Sequence, residues 1–183
     1  QQVPDDIIIV LDEAYLEYAP INQRVDGSDW LTEFENLVIT RTFSKAYGLA
    51  GFRVGYALSH PDIANVLNRI RQPFNVNSLA LAAAEAAIGD DEFLAESMLV
   101  NARGMELLET KCEELKLRFA PSKGNFLLVD FAQDALPIYQ QMLEMGVITR
   151  PVANYGLPNC LRITIGSESE MHRMVAVMEQ VCG

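Results

Sequence analysis

An unbroken apolar run at residues 7–11, Ile-Ile-Ile-Val-Leu, stops at Asp12-Glu13-Ala14-Tyr15. β-Branched residues without polar alternation predict a strand buried on both faces. Shorter apolar runs at 36–40 and 54–58 predict two more strands. Ile63, Val66, Leu67 and Ile70 then recur at helical spacing behind His60-Pro61, predicting a helix over 62–71 that Gln72-Pro73-Phe74-Asn75-Val76-Asn77 breaks. An alanine-rich helix follows, capped by Ser78, running through Ile88 and stopping at Gly89. From Asp90 to about residue 115 the pattern is that of one long amphipathic helix, free of proline and with Gly104 as its single glycine. A helix of that length can bridge two domains.

Beyond it the pattern predicts a strand at 125–131, a helix at 136–145 ended by Gly146, strands at 147–152 and 161–165, and a last helix over 167–181. That helix begins on a capping box, Ser167-Glu168-Ser169-Glu170. A β-α-β-β-α order suits a small α/β domain. The chain therefore divides at its long helix, into 1–90, the bridging helix 91–115, and 116–183.

With 183 residues, half of them hydrophobic, the chain is long enough for a sizeable core. Its net charge of −11 argues against nucleic acid, whose phosphate backbone calls for clustered Lys and Arg. Cys112, Cys160 and Cys182 lack metal-like spacing and fit a reducing, cytoplasmic setting. His60 and His172 are too isolated for a metal site. The opening residues do not read as a signal peptide. The most apolar stretch, 79–88, is short and interrupted by Glu85, so it predicts a packed helix and no membrane partner.

The chemistry concentrates in residues 40–56, Thr-Arg-Thr-Phe-Ser-Lys-Ala-Tyr-Gly-Leu-Ala-Gly-Phe-Arg-Val-Gly-Tyr. Lys45 can form an imine with an aldehyde, Thr42 and Ser44 can donate to phosphate oxygens, and Arg53 can pair with a phosphate dianion. Gly48 and Gly51 let the backbone come close. Asp12 ends its strand, and the carboxyl ends of strands are where open α/β sheets bind ligands. Two neighbouring strands thus offer a carboxylate and an amine to one crevice, as a pyridoxal ring requires.

Asp-Glu-Ala-Tyr after an apolar strand, then Thr-x-Ser-Lys, then an arginine eight residues past the lysine, resembles the fold-type I pyridoxal-phosphate aminotransferases. The wording of the 41–56 stretch is most similar to the histidinol-phosphate aminotransferases within them. The resemblance runs from about Ile7 to the C-terminus. It implies part of a large, mostly parallel-sheet α/β/α cofactor domain over 1–90 and a small C-terminal α/β domain over 116–183. It also implies pyridoxal 5'-phosphate as cofactor, L-histidinol phosphate and 2-oxoglutarate (with glutamate) as small-molecule partners, and a homodimer.

Carried over by position, the resemblance gives Lys45 the imine and the proton transfer at the substrate carbon, and Asp12 the protonated pyridine nitrogen. Tyr15 falls to the ring's phenolic oxygen, Thr42, Ser44 and Arg53 to the phosphate, and Arg162 and Arg150 to the substrate anion. Ordinary alternatives stand beside these roles: a solvated Lys45, Asp12 as a helix cap, Arg162 and Arg150 as outward-facing strand charges. Aromatic aminotransferases and threonine-phosphate decarboxylases share the fold and the motif, and a non-catalytic cofactor-binding regulator is a further alternative. The opening Gln1-Gln2-Val3-Pro4-Asp5-Asp6 leads straight into a strand without an initiator Met, as if the chain were the C-terminal half of a longer enzyme and inactive alone.

Overall fold

A computed structural model describes residues 3, 4 and 6–183; Gln1, Gln2 and Asp5 of the opening segment lie outside the described residues. The chain folds as two compact units, 1–95 and 96–183. The long helix α3, Asp91–Glu114, carries the boundary between them.

In the first unit, β1 (Ile9–Asp12), β2 (Leu37–Thr42) and β3 (Gly55–Ser59) form a sheet in that spatial order. β1 and β2 run parallel, with Ile9 opposite Leu37 and Asp12 opposite Thr40, whereas β3 runs antiparallel to β2. The helices α1 (Pro61–Ile70) and α2 (Ser78–Ile88) follow. Leu37, Val38 and Ile39 of β2 are buried. Phe43 and Val54, at the two ends of the loop that carries Lys45, pack with Ala80 and Ala84 of α2.

The second unit has the spatial strand order β4-β5-β7-β6, all antiparallel: β4 (Arg118–Ala120), β5 (Phe126–Asp130), β6 (Arg150–Pro151) and β7 (Cys160–Thr164). Its core is drawn from α3 (Leu108, Cys112), from β5 and β7 (Leu127, Val129, Leu161, Ile163), and from α4 (Ala135–Glu144) and α5 (Glu168–Cys182), which add Met142, Met174, Val177 and Met178. Burial pushes the Cys112 thiol up to about 12, so it is an inert core side chain. The capping box of α5 forms as predicted, Ser167 Oγ and backbone N–H both meeting Glu170 Oε2 at 2.7 Å.

Several predicted features are corrected. The run at 7–11 is not buried on both faces: β1 is an edge strand, and Ile8 and Val10 are 54% and 61% exposed. The α/β class itself holds, with a mixed sheet in the first unit and an antiparallel one in the second; among the described residues the only parallel pair is β1 with β2. Asn77 caps α2 in place of Ser78, its Oδ1 accepting the Ala80 N–H at 2.8 Å. The strand expected over 147–152 shrinks to Arg150–Pro151. The amides before it close the end of α4, Val147 N donating to Met142 O, and Pro151 has no N–H to give a ladder. An unpredicted strand, β4, makes the second unit's order β-β-α-β-β-α.

Candidate active site

The parallel register brings the carboxyl ends of β1 and β2 to one edge, and the first group of candidates sits there. Asp12 is exposed, and its Oδ1 accepts from the Ala14 amide at 3.1 Å and the Thr40 hydroxyl at 3.4 Å. Tyr15 opens the following turn, Leu16–Tyr18. Past the end of β2 the chain makes a loop tied at its base, Phe43 N donating to Val54 O and Leu49 N to Phe43 O. The loop anchors buried Phe43 and Ala46 and leaves Lys45 between them half-buried. The Lys45 ammonium lies 5.4 Å from the centroid of the Tyr15 ring.

Thr42, Ser44 and Arg53 converge on the same loop. Ser44 N donates to Thr42 Oγ1 at 3.0 Å, and Arg53 Nη1 donates to Ser44 Oγ at 3.3 Å and Ala50 O at 2.8 Å. Arg53 adopts a left-handed backbone, φ 54°, uncommon for a residue with a side chain. Gly48 also stands at positive φ, 70°, but Gly51 does not, and a Cβ there would meet open space. The close backbone approach falls instead at Gly55, where a Cβ would come 2.6 Å from Arg41 O. Among the described residues no carboxylate pairs with Lys45 or Arg53. Two cations beside two hydroxyls, neither cation held in an ion pair, make an anion-binding set.

The second group lies in the second unit. Arg150 and Arg162 are directly opposed across β6 and β7, which puts both guanidinium groups on one face of the sheet. Arg162 sits over the Phe126 ring at 5.1 Å, and its buried Nε has no hydrogen-bond partner among the described residues. Arg150 donates to the Tyr155 hydroxyl at 3.2 Å. Facing like charges repel, and an anion held between them removes that cost.

Sequence reasoning missed the pair behind the first group. Glu13 is buried, 6% exposed, and accepts from Arg41 Nε at 2.8 Å and from the Gly27 amide at 2.7 Å. Burial by itself would lower the Arg41 pKa; hydrogen bonds with Glu13, Tyr56 and Asp26 reverse this and raise it, holding the guanidinium charged. The available signal was an arginine inside a strand, flanked by Thr40 and Thr42, with a carboxylate directly after the neighbouring strand.

Residues 2–178 match the model of the aminotransferase class I and II family. The chain belongs to that family. Among its relatives in the family, histidinol-phosphate aminotransferase 2 of Pseudomonas fluorescens strain Pf0-1 is 56% identical over 181 residues, covering 99% of this chain and 49% of the relative. Histidinol-phosphate aminotransferase 1 of Idiomarina loihiensis is 50% identical, covering all of this chain and half of the relative. The structure of the Sinorhizobium meliloti histidinol-phosphate aminotransferase in complex with pyridoxal-5'-phosphate superimposes with a TM-score of 0.89 at 35% identity. The alignment covers 98% of this chain and 50% of that one. The chain thus has the aminotransferase fold and spans about half the length of the curated relatives it matches.

Proposed function

We propose that this chain carries the lysine-bearing half of a pyridoxal-phosphate-dependent aminotransferase that acts on L-histidinol phosphate with 2-oxoglutarate as amine acceptor. The observation that carries this reading is the convergence of Lys45, Thr42, Ser44 and Arg53 on one loop beside Asp12 and Tyr15. The donor set fits the cofactor: hydroxyls and a guanidinium for its phosphate, an amine for its aldehyde, a carboxylate for its ring nitrogen. When bound, pyridoxal phosphate supplies an electron sink for the charge that develops at the substrate carbon.

Within this reading each residue of the chain has a definite task. Arg53, with the Thr42 and Ser44 hydroxyls, binds the phosphate by charge-assisted hydrogen bonds. The Asp12 carboxylate, oriented by the Ala14 amide, keeps a proton on the ring nitrogen. Tyr15 donates to the ring's phenolic oxygen. Lys45 Nζ would hold the cofactor through its aldehyde and, as a free amine, would move a proton at the substrate carbon. Arg162 and Arg150 bind the substrate's phosphate, a role supported by their facing register and by the unpartnered Nε of Arg162. The first unit then belongs to the large cofactor domain and the second to the small domain. Homodimeric assembly and cytoplasmic residence complete the reading, the latter supported by free thiols at Cys112, Cys160 and Cys182.

The test is a half-reaction screen of the full-length gene product loaded with pyridoxal phosphate, following loss of its visible absorbance on adding histidinol phosphate, phenylalanine or threonine phosphate. Histidinol phosphate should react fastest. Preference for phenylalanine would move the assignment to an aromatic aminotransferase.

A further inference from the structure

The ion-pair network behind the Lys45 edge is chemistry that the proposed reaction does not use. Strand alternation separates two faces here: Glu13 and Arg41 turn inward, while Asp12, Thr40 and Thr42, their immediate neighbours in sequence, turn to the ligand side. Exposure follows the same division, with Glu13 buried and Asp12 exposed. On the inner face, Glu13 Oε2 receives Arg41 Nε at 2.8 Å and Nη2 at 2.7 Å, and Glu13 Oε1 receives the Gly27 amide at 2.7 Å. Arg41 Nη2 also reaches Asp26 Oδ1, which accepts the Ser28 amide at 2.9 Å. One arginine of β2 thereby ties the end of β1 to the turn at Gly27–Trp30. There is no slack at this junction, since a Cβ on Gly27 would come 2.5 Å from Leu11 Cδ2 and 2.9 Å from Glu13 Oε1.

The backbone leaving Glu13 carries the outer-face groups. Glu13 N donates to Thr40 O at 2.9 Å, Ala14 N donates to the Asp12 carboxylate, and Leu16 N donates to Glu13 O at 3.1 Å to start the turn that seats Tyr15. A rotation of Glu13 would move the Ala14 donor away from Asp12 and shift Tyr15 relative to Lys45. Replacing a buried ion pair with apolar groups seldom costs net stability, so stability alone is a poor reason for keeping one at this position.

We propose that the Glu13–Arg41–Asp26 network is a positioning device that fixes, from the inner face, the direction of the Asp12 carboxylate and the seat of Tyr15 on the outer face. The inference rests on reading that outer face as a pyridoxal-phosphate site. Glu13, Arg41 and Asp26 are positioning residues, since none of them reaches the ligand side. The two-point grip on Glu13 needs the planar fork of arginine, which a lysine ammonium cannot reproduce.

The test uses the full-length protein with Arg41→Met, Arg41→Lys and Asp26→Asn, the last two kept in case Arg41→Met does not fold. Without cofactor, amide exchange at Ala14, Leu16, Tyr18 and Gly27 should rise about tenfold or more in Arg41→Met, less in Arg41→Lys, while β3 keeps its wild-type rates. With added pyridoxal phosphate, the same variants should show a displaced absorbance band and a dissociation constant raised by about tenfold, with Arg41→Lys partly rescued. Exchange rising equally throughout the first unit, or a normal band with normal affinity, would reduce the network to a stability element and overturn the proposal. If exchange responds as expected but the wild-type protein binds no pyridoxal phosphate, the positioning network stands and the functional reading of the edge fails.

Discussion

At the scale of single residues, the candidate site divides by charge. Lys45 is the one side chain of the 40–56 stretch able to bind an aldehyde covalently, while Thr42, Ser44 and Arg53 contact only the phosphate in the proposed arrangement. Lys45→Ala should therefore abolish transamination and borohydride-trapped cofactor labelling, yet retain non-covalent cofactor binding; peptide mapping that finds the label on another lysine would remove the central assignment. The facing arginines make a second case. Arg150→Ala and Arg162→Ala should each raise KM for a phosphorylated substrate by about tenfold or more, and the double variant should lose less than the product of the two, because in the proposed arrangement these two residues, opposed across the strands, address one dianion. Strict additivity would mean separate anions. These residues stand out in the sequence because an amine, hydroxyls and arginines at fixed spacing suggest one chemistry, and the structure brings Thr42, Ser44 and Arg53 together on the loop that carries Lys45. Glu13 and Arg41 were not legible, since their meaning depends on a contact between residues 28 apart, which periodicity does not encode.

Elements were readable wherever one local force decides them. The capping box of α5 and the glycine stop of α2 form as expected because side chain and backbone settle them within a few residues. At the start of α2, Asn77 and Ser78 are both good caps, and the side chain that reaches the Ala80 amide decides between them. β1 departed from expectation for a reason outside its own sequence, since a strand is buried only if something covers it; β6 is cut short both by its own Pro151 and because amides taken by a neighbouring helix end cannot pair in a sheet. The long helix α3 offers a clear test of packing against propensity. Gly104 sits where a Cβ would come 2.5 Å from Ile165 Cγ2 and 3.2 Å from Met171 Cγ, both on buried side chains. Alanine favours a helix interior by about 1 kcal/mol over glycine, but overpacking a core costs about 1–3 kcal/mol. Gly104→Ala should thus lower the urea midpoint of the second unit; a raised midpoint would show that Ile165 yields without strain.

On the scale of the whole chain, the two units differ in how completely they bury what they carry. The second unit encloses a continuous core between α3, its antiparallel sheet and the pair α4 and α5. The first buries the opening half of β2 and a small cluster around Phe43, and leaves Ile7, Ile8, Val10, Val66, Ile70, Phe74, Leu79 and Ile88 exposed, with β1 as an open edge. An apolar edge strand and exposed apolar helix faces are each templates for pairing with another chain. The 183-residue chain produced by itself should therefore self-associate through its first unit, bind pyridoxal phosphate weakly or not at all, and show slower amide exchange in the second unit than in the first. Val10→Lys, which places a charge on the edge strand where Val10 is 61% exposed, should shift sedimentation toward monomer without changing exchange at β5 or β7. A monomeric chain with uniformly slow exchange and tight cofactor binding would show that the exposed face of the first unit is tolerated as it stands, and that these residues form a self-sufficient cofactor site.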